Sequence, residues 1–392
     1  MSSTPVILAA RRTPIGAFQG VFNTVTAAQL GAAAIRAVVA DSGLNGNQID
    51  EVIMGCVLMA GQGQAPARQA SLGAGLANTI PTTTINKMCG SGLKSVMQAC
   101  DQLRVGDVNA IVAGGMESMT NAPYLLPKAR GGYRMGHGEI LDHMFFDGLQ
   151  SPYDGKMMGQ FADATAAKYG FTREQQDAFA SESVRRAQLA VASVAFQGEL
   201  TPVTFKTRRS EQTIAADETP GTCDINKIPT LKPAFNKDGT VTAASSSSIS
   251  DGAAALIVVD DTWATSLNCK PLARVVAYAS YAHEPEWFTT APGGAINKVL
   301  DKANWKVSNV DLFEINEAFA CVTMAAMHDV GIDHSKVNVN GGACALGHPI
   351  GATGARILVT LIHALKARSL KRGIAALCIG GGEAVAMAVE LA

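Results

Sequence analysis

Two stretches decide the reading of this chain: Ala110-Ile-Val-Ala-Gly-Gly-Met-Glu117 and Ala376-Leu-Cys-Ile-Gly-Gly-Gly-Glu383. Each is a short apolar run entering glycines and ending in glutamate, and the two align residue for residue as a strand followed by a glycine turn. A glycine-rich helix start lies upstream of each, Cys89-Gly-Ser-Gly-Leu-Lys94 in the first half and Gly351-Ala-Thr-Gly-Ala-Arg356 in the second. A duplicated unit is the economical explanation. If its copies pack about a pseudo-twofold axis, corresponding turns meet near that axis.

Outward from these anchors, strand and helix patterns alternate. Residues 5–10 (PVILAA) read as a buried strand, 28–41 carry apolar positions at helical spacing, and 51–57 read as another strand. Such alternation predicts an α/β sheet with helices on its faces. Residues 1–119 form the first unit, completed by the buried run at about 249–269, and a second α/β unit covers 270–392. Between them, 120–248 change texture: ARGGYRMGHGE, the polar helical stretch TREQQDAFASESVRRAQLAVAS, then IPTLKPAFNKDGTV with its prolines. This is the pattern of an inserted, loop-rich domain.

With 392 residues, 47% of them hydrophobic, the chain can bury a large core spread over two or three domains. A net charge of −1 supplies no basic field for nucleic acid or an anionic membrane, so the expected ligand is small. Eight scattered cysteines lack a CxxC pair or metal-ligand spacing and read as free thiols of a reducing compartment. In MSSTPVILAARRTP the basic residues follow the apolar run, the reverse of a secretory signal, and no stretch reaches membrane-spanning length. The expected location is the cytoplasm, with no metal.

Four clusters could carry chemistry. In Asn86-Lys-Met-Cys89-Gly-Ser-Gly the cysteine falls at a predicted helix start, where free N–H groups favour a thiolate and can hold an oxyanion. A cysteine by itself is more often a packed small side chain. His348, between Gly347 and Pro349, sits on a rigid turn open to ligand approach, whereas nearby Cys344 reads as packing. Cys378 ends a strand before three glycines whose N–H groups could serve as oxyanion donors, the alternative being a strand-core thiol. In Phe313-Glu-Ile-Asn316-Glu317, spacing alone favours solvated helix-start acids and an N-cap asparagine.

Together, NKMCGSGL (Asn86–Leu93), AGGMESM (Ala113–Met119), SDGAAAL (Ser250–Leu256), NEAFA (Asn316–Ala320), GHPIGATG (Gly347–Gly354) and CIGGG (Cys378–Gly382) resemble the thiolase family, over nearly the whole chain. Its acetyl-CoA acetyltransferase branch is the most similar. The resemblance implies a duplicated thiolase fold, two βαβαβαββ-type halves in α/β/α/β/α layers with an inserted loop domain. It implies a ping-pong reaction through acyl-Cys89, with no permanently bound cofactor and acetyl-CoA, acetoacetyl-CoA and CoA as substrates. His348 takes the Cys89 proton and Cys378 the α-proton of the second acetyl-CoA. His348 and an Asn316-held water stabilise the enolate, and the N–H groups of Cys89 and Gly380 the tetrahedral oxyanion.

CoA contacts carry over onto Leu149, Met158, Phe235, Ala243, Ser247, Ala318 and Phe319, and the acyl pocket onto Met88 and Met157. The segment KARGGYRMG (Lys128–Gly136) resembles the loop that joins dimers into homotetramers. Three departures stand out: Met157 where short-chain members commonly carry histidine, Ala65 where asparagine is usual, and Glu383 where a neutral residue is common. Met157 keeps open a broader-range 3-ketoacyl-CoA thiolase of degradation. Outside that chemistry, a CoA-binding or thiol redox-sensing protein is the alternative, against which the retention of Cys89, His348 and Cys378 counts.

Overall fold

The structure, a computed structural model, describes residues 4–208 and 210–392, so the first three residues of the N-terminal stretch read above lie outside it. Leaving aside the two-residue strand Gly16–Ala17, nine strands among the described residues form the main sheet: β1 Pro5–Arg12, β2 Glu51–Gly55, β3 Thr82–Ile85, β4 Ala110–Ser118, β5 Ser250–Asp260, β6 Ala273–Ala282, β7 Leu312–Ile315, β8 Arg372–Ile379 and β9 Glu383–Leu391. Their spatial order is β3-β2-β4-β5-β1-β6-β9-β8-β7.

Counted within each half, this order exposes the duplication. The N-terminal half runs 3-2-4-5-1, with its fifth strand antiparallel to both neighbours and β2 parallel to β3 and β4. In the C-terminal half, β7, β8, β9 and β6 occupy places 2, 4, 5 and 1 with the same directions. Its third strand is reduced to one parallel bridge, Phe313 to Val337. The two first strands join the halves through two antiparallel pairs, Val6 with Arg274 and Ile7 with Ala273.

The sheet folds into five layers because the two central helices are apolar on both faces. Helices Ser91–Val105 and Thr353–Ala367 bury Leu93, Val96, Leu103, Ile357, Leu358 and Leu361 among residues of both half-sheets. The outer faces are covered by Ala27–Ser42 on the N-terminal side and Ala291–Ala303 on the C-terminal side. Capping fixes where two of the helices begin: Thr26 with Gln29, and Thr172 with Gln175 for the polar helix Arg173–Ala192.

The central helices cross where the repeated glycines lie. A Cβ on Gly354 would overlap the backbone nitrogen of Leu93, and one on Gly92 would approach the Ala355 nitrogen to 2.7 Å. These glycines hold equivalent positions in the two helix starts, so the repeat seen in sequence is the crossing point.

One expectation is corrected. The glycines of Ala113-Gly-Gly do not form a turn: β4 runs through Gly114 and Gly115, paired with Ala255 and Ala254, to Ser118. They are needed for close approach, since a Cβ on Gly114 would overlap the Ala254 carbonyl and one on Gly115 the Gly351 carbonyl. Only the C-terminal copy turns at its glycines, at 380–382, where Gly381 and Gly382 adopt φ of 96° and 89°.

Between β4 and β5 the chain leaves the sheet, carrying two two-stranded hairpins and the helices Met158–Tyr169 and Arg173–Ala192. These pieces roof the sheet end where the sequence clusters converge.

Candidate active site

Cys89 stands on the tight turn between β3 and helix Ser91–Val105. Met88 before it is held at φ 48°, a costly conformation for a side chain of its size. The turn is fastened from several sides: Asn86 Oδ1 accepts from the Met88 N–H at 2.8 Å, Ser91 Oγ from the Lys87 N–H at 2.8 Å, and the Met88 carbonyl from Ser91 Oγ at 2.6 Å. The turn so fixed holds Cys89, partly exposed as a residue, at the start of the helix.

Burial pushes the Cys89 thiol up to about 11, against the backbone N–H groups of Gly380 and of Cys89 itself, which favour the thiolate. The turn after β8 therefore reaches Cys89. Cys378, at the end of β8, is buried and its thiol is raised far above the ordinary range, first by burial and then by Cys89.

His348 lies on the 347–351 turn, whose backbone is locked by the N-terminal half and its insertion. Its N–H donates to the Ser248 carbonyl at 3.1 Å, and the Gly351 N–H donates to Glu117 Oε2 at 3.0 Å. The ring is buried and its Nδ1 lies 2.6 Å from Thr353 Oγ1. Thr353 donates its one hydroxyl proton to the Pro349 carbonyl at 2.9 Å, so it can only accept from the histidine. Nδ1 is thereby the protonated nitrogen. Nε2 is left as a buried acceptor without a partner among the described residues. Burial, with a smaller contribution from the Arg356 charge, pulls the imidazole down to about 3, which keeps it neutral.

Glu117 acts as a clamp beneath this turn. Fully buried, it accepts from the N–H groups of Val57 at 2.9 Å, Leu58 at 3.2 Å and Gly351, and burial raises it to about 7 despite those bonds. It joins the β2 end of one half to the histidine turn of the other.

The acids around Asn316 overturn the spacing-based reading. Glu314, Asn316 and Glu317 are buried, and the following helix begins at Ala320 with Phe319 as its N-cap residue. Glu317 accepts from Ser183 Oγ at 2.7 Å, Asn338 Nδ2 at 2.8 Å and the Cys344 N–H at 3.1 Å. Such partners replace water, so these groups brace the core rather than cap a solvated helix. Asn316 is pinned by its N–H to the Ala376 carbonyl at 3.0 Å, yet neither polar atom of its side-chain amide has a partner among the described residues. An amide in that condition is suited to holding a water or a substrate oxygen.

A cavity of about 370 Å³ collects these groups: Cys89, His348, Cys378 and Gly380 all line it. So do all seven residues expected at a CoA thioester, Leu149, Met158, Phe235, Ala243, Ser247, Ala318 and Phe319, together with Met157. Two expected residues are elsewhere. Asn316 is not among the lining residues, and Met88 lines an adjoining cavity of about 240 Å³ that shares Gly148, Met158 and Gly380 with the first. Sequence reasoning missed Thr353 and Glu117 as site-builders, although both lie inside quoted motifs. Their signal was five residues from His348 in one case and the end of a glycine pair in the other.

All eight cysteines are free, and among the described residues no group of three or more His, Cys, Asp or Glu side chains could hold a metal ion. No described helix is long and apolar enough to cross a membrane.

Comparison with known proteins identifies the family. The family model "Thiolase, N-terminal domain" matches residues 5–262 and "Thiolase, C-terminal domain" residues 269–391. An acetyl-CoA acetyltransferase of Allochromatium vinosum is 47% identical over 100% of both chains, and one of Escherichia coli 48% identical over 98% of each. The crystal structure of the Bacillus anthracis acetyl-CoA acetyltransferase superposes with a TM-score of 0.98 at 40% identity, covering 100% of this chain and 99% of that one. With both halves, their order and their crossing glycines accounted for, the chain belongs to the thiolase family.

Proposed function

We propose that this protein is an acetyl-CoA C-acetyltransferase that joins two acetyl-CoA into acetoacetyl-CoA and CoA, and runs the reverse thiolysis. The observation that carries the reading is the convergence of two thiols, one neutral imidazole acceptor and the Gly380 N–H on a single apolar cavity. Cys89 gives its proton to His348 Nε2 and its sulfur attacks the acetyl carbonyl, whose oxygen is held by the N–H groups of Cys89 and Gly380. Collapse expels CoA, which leaves with the proton from His348. Cys378 then gives its thiol proton to the neutral His348 Nε2 and, as thiolate, removes an α-proton from the second acetyl-CoA, whose carbanion attacks the Cys89 thioester. Cys89 leaves as thiolate and is reprotonated from His348, while Cys378 keeps the α-proton as its thiol proton.

Raised thiols and a lowered imidazole favour the uncharged thiol–imidazole pair in the empty site at neutral pH. The fixed donors are therefore asked to favour charge only once substrate has entered. His348, and Asn316 through a water, stabilise the enolate oxygen.

CoA thioesters are the substrates, with no permanently bound cofactor. The chain works in the cytoplasm as a homotetramer built through residues 128–136, where Tyr133 and the nearly fully exposed Met135 offer apolar side chains. The domains divide the labour: 1–119 with 249–269 supplies Cys89, 120–248 walls the thioester channel, and 270–392 supplies His348 and Cys378.

Mass spectrometry after incubation with acetyl-CoA tests this. The expected result is one acetyl group on Cys89, absent from Cys89→Ser; no adduct, or an adduct that survives on another thiol, overturns it. Met157 on the cavity wall favours a second reading, a broader-range degradative thiolase. Thiolysis of acetoacetyl-CoA set against that of an eight-carbon 3-ketoacyl-CoA separates the two, and preference for the longer chain sinks the first.

A further inference from the structure

The two loops that meet at the thiol are joined by an ion pair that the chemistry above does not use. Lys87 lies two residues before Cys89 and Glu383 three residues after Gly380, and Lys87 Nζ bonds Glu383 Oε2 across the two halves. The loops already touch beneath it, since a Cβ on Gly90 would overlap the Ile379 side chain. On the far side, the triple-glycine turn is anchored by the His283 N–H donating to the Gly382 carbonyl at 2.8 Å. Gly381, between the anchors, has nothing within 4 Å of where its Cβ would stand, and Gly380 meets the Met158 sulfur alone, at 3.7 Å, so side chains buttress the segment that presents the Gly380 N–H only lightly. The ion pair is the side-chain tie on the Cys89 side.

We infer that Lys87 and Glu383 are positioning residues which fix the distance between the Cys89 sulfur and the Gly380 N–H. The inference rests on the proposed role of Cys89. Both side chains are about one-third exposed, so the pair adds little to global stability, whereas a small displacement between reacting groups is costly to rate. Without either partner the glycine segment relaxes away from the sulfur, and the thiolate loses a donor.

The pH dependence of Cys89 alkylation by iodoacetamide, alongside turnover, tests this on the full-length protein. A tie and a mere field give different signs. If the pair positions the loops, Lys87→Met and Glu383→Gln both shift the alkylation profile to higher pH and lower kcat about tenfold with KM nearly unchanged. The charge-exchanged double variant, Lys87→Glu with Glu383→Lys, returns both readouts toward the parent. If the charges act only through their field, removing the cation moves the profile up and removing the anion moves it down.

Opposite shifts, no shift in either single variant, or failure of the exchanged pair to recover in a form that melts like the parent would overturn the inference. If the exchanged protein misfolds, Lys87→Arg replaces it and is expected to keep parental rates; a tenfold loss there counts against the tie. Acetylation of the parent protein is measured in parallel. Its absence sinks the Cys89 reading, whereas a parent that acetylates beside unaffected single variants sinks only the tie.

Discussion

The two halves share one strand order but treat the connection from fourth to fifth strand in opposite ways. In the N-terminal half it spans residues 119–249 and supplies most of the roof of the cavity; in the C-terminal half it is the turn 380–382, which supplies one N–H group. A long connection can wall off a substrate because loop length costs little entropy once the ends are fixed by the sheet. A short glycine turn can bring backbone against sulfur because no side chain intervenes. The same place in the fold thus yields a container once and a donor once.

The largest test of this division separates the thiols. Cys378→Ser is expected to acquire acetyl on Cys89 at near-parental rate while condensation falls on the order of a thousandfold, followed as single half-reactions. Equal loss of both would erase the asymmetry between the halves. The helix crossing tests their likeness instead. Gly92→Val and Gly354→Val place side chains into backbone, and each should cost about 3 kcal/mol or more in denaturant unfolding. A large cost at one glycine and none at the other would break the pseudo-symmetry at its centre.

Thr353→Val removes the acceptor that fixes the His348 tautomer. A fall of about 10- to 100-fold in kcat with KM little changed is expected, and Thr353→Ser should recover most of it. A parental rate in the valine variant would mean that the turn alone orients the ring.

The halves also differ in their buried acids, and pH reads that difference. Glu117 is held near 7 and Glu314 near 8, each chiefly by burial, against an ordinary value of 4.5. Both groups ionise more readily in the unfolded chain, so stability declines as pH rises from about 4.5 through those folded values. His348 works in the other direction, its folded value near 3 against 6.5, so stability also declines as pH falls below 6.5. The melting temperature is expected to drop from pH 6.5 to 8.5, with a shallower drop in Glu314→Gln; a rise over that interval contradicts the assignment.

The smallest effect concerns the N-terminal half alone. Ala65, N-terminal to helix Pro66–Gly73, has φ 49° and makes no side-chain cap. Asparagine tolerates that conformation better, and the first helix N–H groups are already engaged, that of Ala67 by Thr84 Oγ1 and that of Arg68 by the Ala65 carbonyl, so Ala65→Asn should add only about 0.5 kcal/mol in denaturant unfolding. No gain would indicate that the turn, rather than residue 65, sets the backbone there.

Much of this was legible in sequence because the repeat lies in residues whose chemistry is hard to disguise. Cys89, His348 and Cys378 each stand beside glycines, and the structure brings all three to one cavity. The strands at Pro5, Glu51 and Ser250 announce themselves as unbroken apolar runs, as strands covered on both faces do. What stayed hidden shares one cause: local pattern cannot say what lies across the gap. Gly114 and Gly115 read as a turn because the opposing backbone of Ala254 and Gly351 is distant in sequence. Glu314 and Glu317 read as solvated because Arg356 and the Ser183, Asn338 and Cys344 partners arrive from other elements. Glu383 had no visible reason until Lys87 appeared opposite it.

The seam between the half-sheets, two residue pairs of β1 and β6, also bears on how the molecule comes into being during synthesis. The N-terminal half cannot close its own sheet until β5 emerges, after the whole roof has been made. Even then helix Ser91–Val105 presents an apolar face with nothing to cover it until Thr353–Ala367 arrives. The strand that carries Glu383 comes later still, and it inserts between β6 and β8 rather than at an edge. The emerging chain is therefore expected to carry an apolar layer without its covering helix until residues 353–367 follow, and its dependence on chaperones should track the time spent between residues 119 and 391.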